Sequence, residues 1–155
     1  MPRVLALDVG NRRIGVAVTD ALGLTAQPLL TVHRTTLRAD LRSLARLIRR
    51  YDAATVVVGL PLHASGDDSA QAEKTRAFAE ALRAHLEESG TASSMELLDE
   101  RHTTAEAHAL LDALHGPRRT AEDREQRSRL IDQAAAALLL TAWLERRDGP
   151  ALLPE

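Results

Sequence analysis

Residues 4–20 read Val4-Leu-Ala-Leu-Asp8-Val-Gly10-Asn-Arg-Arg-Ile-Gly15-Val-Ala-Val-Thr-Asp20, and the fold turns on how they are read. Two apolar runs, 4–7 and 14–18, flank a short polar turn. Their aliphatic, Val- and Ile-containing composition suits strands, so the stretch predicts a hairpin entered through a core strand. Gly10 is assigned to the turn, as a backbone that other residues adopt only with strain. Gly15 is assigned to the restart of the second run. Asp8 stands where the first strand ends. A carboxylate directly after four apolar residues is costly to bury unless it is paired or holds a cation. Asp also caps turns through its own side chain. The D-x-G-x-x-x-x-G pattern alone leaves both readings open.

The chain has 155 residues, enough to bury a proper core in one domain. Its 45% hydrophobic and 27% charged residues are those of a soluble globular protein. No apolar run approaches the roughly 18 residues of a membrane span, and with strand-like sequence beginning by Val4 the N-terminus lacks the basic-then-apolar layout expected of a signal peptide. There are no cysteines. That excludes disulfides, thiol nucleophiles and Cys-based zinc sites, and it fits a cytoplasmic location. A net charge of -2 does not announce a nucleic-acid binder. Lys74 is the only lysine among 20 basic residues, a bias that either genome composition or phosphate contacts would explain.

Downstream, 23–28 reads as a turn and 29–32 as a third strand. Thr35 or Thr36 caps a helix through about Tyr51, with Leu37, Leu41, Leu44, Ala45 and Ile48 at helical spacing. Arg38, Arg42, Arg46, Arg49 and Arg50 occupy its other side, a stripe more often solvated than binding. Residues 55–59 form a strand buried on both faces. Asp68 with Gln71 caps a helix running to Ser89 around Phe78, Leu82 and Leu86. Residues 95–99 form another strand, followed by Asp99-Glu100-Arg101. Thr103 and Glu106 make a capping box for a helix ended by Gly116-Pro117. Residues 118–129 read as a mobile charged loop, 130–147 as a final helix, and 149–155 as a tail after a domain spanning 1–148.

Three strands, then helices alternating with strands, imply a mixed sheet covered on both faces. Sites in such sheets form beyond the carboxyl ends of the strands, where Asp8 and the Asp99-Glu100 pair lie. Asp132 stands before Ala134-Ala-Ala-Ala137, a run slim enough to let its helix approach the sheet closely. Alone, Asp132 is best read as an N-cap; with Asp8 and Glu100 it reads as a ligand. Three converging carboxylates repel one another until a hard divalent cation, Mg²⁺ or Mn²⁺, neutralises them. Such sites serve in-line phosphoryl transfer with two metals about 4 Å apart. On that reading Asp132→Asn leaves metal-free stability unchanged or raises it by about 1 kcal/mol. Arg12 and Arg13 in the hairpin turn, and Arg118 and Arg119 before the last helix, are candidates to grip phosphates beside the acids.

Four motifs in order, Asp8-Val-Gly10-Asn-Arg-Arg-Ile-Gly15-Val-Ala, Val-Val-Gly59-Leu-Pro-Leu62, Asp99-Glu-Arg-His-Thr-Thr104-Ala-Glu106-Ala and Ile131-Asp132-Gln-Ala-Ala-Ala, resemble the YqgF/RuvX family of Holliday-junction resolvases. The resemblance runs from Val4 to about Leu144. It implies an RNase H-like fold, with a mixed five-stranded sheet and helices on both faces. It also implies metal-dependent nuclease chemistry, cytoplasmic location and a role in maturing the 5′ end of pre-16S ribosomal RNA. The family's acids map onto Asp8, Glu100 and Asp132, with Arg101 beside the second. His102 replaces an apolar residue of the family, and His63-Ala64-Ser65 replaces a different loop sequence. Strand alternation alone leaves Asp99 and Glu100 both open as the second ligand; Glu100 is preferred. His102 reads as an incidental surface residue before it reads as a proton shuttle.

Two other classes compete. A D-x-G hairpin also resembles the first phosphate loop of actin-like ATPases, but those need a second such domain to close over nucleotide. A non-catalytic RNA- or protein-binding member of the fold would have no need of all three acids. A junction cutter that makes paired nicks would be a two-fold homodimer.

Overall fold

The structure, a computed structural model, describes residues 2–61, 69–99, 109–110, 113 and 120–148. Strands β1 (Arg3–Val9), β2 (Arg13–Thr19) and β3 (Ala26–His33) lead into helix α1 (Leu37–Arg50). Strand β4 (Ala53–Leu60), helix α2 (Ala70–Glu88), strand β5 (Ser94–Asp99) and helix α3 (Ala121–Asp148) follow. The sheet has the order β3-β2-β1-β4-β5. β1–β2 and β2–β3 are antiparallel hairpin pairs, whereas β1–β4 and β4–β5 are parallel and joined through helices.

The apolar runs are continuous because both faces of the sheet are covered. Leu5, Leu7, Val9, Ile14, Val16, Val56 and Val58 face α1 and α2, meeting Leu44, Ile48, Phe78 and Leu82. Val4, Ala6, Ala17, Val57 and Leu98 face α3 and meet Ala136, Leu139 and Leu140. Ala6, Ala17 and Ala136 are small where strands and helix meet in this second layer, so α3 lies close against β1 and β2. No described helix is long and apolar enough to cross a membrane.

Several expectations from sequence are revised. Helix α3 begins at Ala121, not near residue 130. Its charged first turns are good helix formers. Thr120 caps them: its Oγ1 accepts from the N–H of Asp123 (3.0 Å), whose carboxylate accepts from the N–H of Thr120 (3.1 Å). Ser69 caps α2, accepting from the N–H of Ala72 at 3.0 Å, while the Gln71 side chain reaches the Val9 carbonyl. The third strand extends over 26–33, with Pro28 tolerated because β3 is an edge. The turn before it belongs to Asp20, whose Oδ1 accepts from the N–H groups of Leu24 (2.7 Å) and Thr25 (3.0 Å).

Gly10 is not among the residues with positive φ. What it needs is space: a Cβ there would lie 2.9 Å from the Arg13 carbonyl oxygen, which accepts from the Gly10 N–H. The capping box at 103–106 and its helix lie outside the described residues, apart from 109, 110 and 113, which are helical.

Candidate active site

Asp8 is the penultimate residue of β1 and is paired with Gly15 across the hairpin. Strand alternation gives it the face of Val4 and Ala6, toward α3, opposite to that of Leu5, Leu7 and Val9. Gly15 shares this face. A Cβ added to Gly15 would lie 1.9 Å from the carbonyl oxygen of Asp132 and 2.2 Å from its carbonyl carbon. The backbone of α3 at Asp132 therefore rests directly on the residue paired with Asp8. The sequence assigned Gly15 to a chain restart; its role is to admit the helix.

Asp132 lies eleven positions beyond the first residue of α3, so the N-cap reading is excluded. Its Oδ2 accepts from Arg13 Nε at 2.7 Å, with the two side chains 20% and 31% exposed. Arg13 opens β2 and thus joins the turn after Asp8 to the acidic position of α3. Arg12 is exposed in that turn.

Asp99 falls on the strand face of Met95, which packs toward α1 and α2, whereas Leu98 packs toward α3. Asp8 and Asp132 are thus brought to one side of the sheet, and Asp99 to the other. Glu100, Arg101, His102, Arg118 and Arg119 lie outside the described residues, as does His63. Among the described residues, no three His, Cys, Asp or Glu side chains are grouped closely enough to hold a metal.

A support beneath the turn was not anticipated from the sequence. The N–H of Arg34 donates to the Arg12 carbonyl at 2.8 Å, and its guanidinium donates to the Gly10 carbonyl at 2.8 Å. The same guanidinium donates to the buried Asp40 carboxylate at 3.1 Å and lies 4.9 Å from the centre of the Phe78 ring. Asp40 also accepts from the Thr35 N–H at 3.0 Å. One cation thereby ties the hairpin turn to α1 and α2. The signal available in sequence was an acid at a core-facing position of an otherwise basic helix.

Carboxylate oxygens are suitable donors for a hard divalent cation. Asp132 already holds a positive group, so its charge is of the kind such an ion would satisfy.

This topology is that of the RNase H-like resolvases. It is shared with Thermus thermophilus RuvC in complex with a Holliday junction substrate (TM-score 0.56, 16% identity, covering 96% of this chain and 97% of that one). It is shared also with the fowlpox virus resolvase bound to Holliday junction DNA (TM-score 0.55, 13% identity, 94% and 99% covered). At these identities the likeness is one of fold.

Sequence makes the assignment finer. The family model described as RuvX, Holliday junction resolvase, matches residues 2–146, and the chain belongs to that family. A relative from Myxococcus xanthus, provisionally named a pre-16S rRNA nuclease, is 41% identical over 149 residues, covering 96% of this chain and 91% of the relative. A similarly named protein of Moorella thermoacetica is 43% identical over 145 residues, covering 93% and 95%.

Proposed function

We propose that this chain is a divalent-metal-dependent nuclease that hydrolyses phosphodiester bonds in structured RNA, with the 5′ region of precursor 16S ribosomal RNA as its substrate. The observation that carries the reading is the seating of Asp132 on Gly15, the strand partner of Asp8. Asp8 and Asp132 thus belong to one side of the sheet, and Glu100 is proposed as the third acid of the set. The names of relatives near 40% identity favour RNA. The family description favours branched DNA as the second reading, acting through the same acids.

Asp8, Glu100 and Asp132 are the residues that would hold Mg²⁺ or Mn²⁺. When bound, a pair of such ions supplies an activated water and neutralises the leaving oxygen. The chain itself orients the substrate. Arg12, exposed in the turn, would bind a phosphate oxygen next to the scissile bond. Arg13 would use its remaining guanidinium N–H groups in the same way while Nε keeps Asp132 in position. Arg101, Arg118 and Arg119 are assigned to the same phosphate-gripping role. The Arg34 support fixes the carbonyls of Gly10 and Arg12 and so limits movement of the turn after Asp8. The protein acts in the cytoplasm, where ribosomal precursors are matured, and paired cuts would call for a two-fold dimer.

The test is cleavage of end-labelled precursor 16S RNA, single-stranded RNA, duplex RNA and a four-way DNA junction, each with Mg²⁺, Mn²⁺ or chelator. Metal-dependent cleavage that is fastest on precursor RNA is expected. Preference for the junction would transfer the reading to DNA. No cleavage of any substrate with either metal would overturn it.

A further inference from the structure

Helix α1 turns Leu41, Leu44, Ala45 and Ile48 into the core and exposes Arg38, Arg42, Arg46, Arg49 and Arg50. Its one carboxylate, Asp40, is 2% exposed and bound to Arg34. The outer face of α1 therefore carries five guanidinium groups and no acid.

The other helices are built differently. On α2, Arg83 meets Glu80 at 2.6 Å and Glu87 at 2.8 Å. On α3, Arg129 stands 4.0 Å from Glu125. A genome that favours arginine over lysine explains the residue type, but not the missing acids on one helix face of a chain with net charge -2. Like charges at i and i+4, as in Arg38, Arg42, Arg46 and Arg50, also destabilise an isolated helix. Arg49 and Arg50 stand in the last turn, where positive charge complements the helix dipole, and Arg50 lies over the Tyr51 ring; Arg38, Arg42 and Arg46 have no such return.

The ridge has a definite position. It begins four residues beyond Arg34, which is bonded to the turn carbonyls of Gly10 and Arg12. It ends beside the start of β4, where Ala53 pairs with Arg3 at the opposite end of β1. From Arg38 to Arg50 it runs about 18 Å along the helix axis. A straight strand lying at Asp8 and Asp132 would not follow it, because α1 and α3 cover opposite faces of the sheet.

We propose that the α1 arginine ridge is a second phosphate-binding surface, one that holds a duplex arm of a bent or branched RNA whose other segment lies at Asp8 and Asp132. This rests on the nuclease reading for what happens at the acids, but the binding itself is measured without cleavage. The partner is a nucleic acid rather than an anionic membrane. The exposed face of α1 offers Leu37 as its one large exposed apolar side chain, which is too little for interfacial insertion.

The test compares the wild-type protein, a triple variant Arg38→Gln/Arg42→Gln/Arg46→Gln, and Arg83→Gln as a control that removes a paired arginine. Equilibrium binding to a stem-loop precursor RNA with a 20-base-pair arm is measured in chelator across 50–300 mM salt. Each phosphate contact contributes about 0.7–0.9 to the slope of log affinity against log salt, so the triple variant should lose about two units of slope. Its affinity at 0.1 M salt should fall about 100-fold. Arg83→Gln should match the wild type, and cleavage of a short single-stranded RNA should be unchanged in all three. An unchanged salt slope in the triple variant, with melting temperature intact, would overturn the proposal. So would loss of binding to phosphatidylglycerol vesicles with RNA binding retained. Failure of the wild type to cleave while the slope still changes would remove the nuclease reading and leave the ridge standing.

Discussion

At the scale of single residues, the site depends on one missing side chain. The atoms facing Gly15 are backbone atoms of α3 and cannot rotate away, unlike the end of a flexible side chain. Gly15→Ala is therefore expected to destabilise the protein by about 3 kcal/mol, at the upper end of typical overpacking costs. Urea unfolding measures this; a loss below about 1 kcal/mol would mean that α3 does not rest on β2 as described. Asp132 is a second case. Repulsion among acids alone predicts that Asp132→Asn is neutral or stabilising. Arg13, at 2.7 Å, alters that balance by neutralising the carboxylate in the metal-free protein. The revised expectation is a loss of about 0.5–1 kcal/mol, the scale of a partly exposed ion pair. Thermal melts in chelator distinguish the two.

At the scale of elements, the turn between β2 and β3 is held by Asp20. The N–H of Thr25, and then that of Leu24, hold its carboxyl below the usual 3.8. A carboxyl with a depressed folded value contributes stability above its unfolded value, and that contribution is lost as pH falls through the folded one. The melting-temperature gap between wild type and Asp20→Ala should be constant from pH 6 to 8 and should narrow below about pH 4. A gap equally wide at pH 3 would contradict this. Elements differed in how readable they were. The strands and α1 followed from apolar runs and spacing that packing then enforced. The first turns of α3 were read as a loop because residues 122–126 are charged or polar and exposed, so no apolar stripe marks them. They are helical because Thr120 caps them and because the chain continues directly into the buried Ile131 and Ala135. The Ser69 cap was missed in favour of Asp68, since adjacent Asp and Ser are equivalent as sequence signals.

At the scale of the whole molecule, the division of the sheet into a bulky face and a slim face determines where the site forms. Large residues of β1, β2 and β4 meet α1 and α2, and small ones admit α3. The sequence disclosed the slim helix through its alanines but not the glycine beneath it, because contact between residues 15 and 132 is a tertiary fact. The assignment of Asp8 to the α3 face was legible only once register was known, since a one-residue slip exchanges the faces. The face of Asp99, which sequence alternation left open, likewise followed only from the register of β5. The central claim is that Asp8 and Asp132 are the chemical groups of a nuclease rather than caps or structural charges. The most direct measurement is the initial rate of precursor 16S RNA cleavage by Asp8→Asn beside the wild type, at saturating Mg²⁺ or Mn²⁺, with both proteins shown to be folded by melting. Metal-dependent cleavage by the wild type is expected, with a loss of at least about 1000-fold in the variant, the scale at which removing a single critical group acts. Cleavage by Asp8→Asn at the wild-type rate would contradict it.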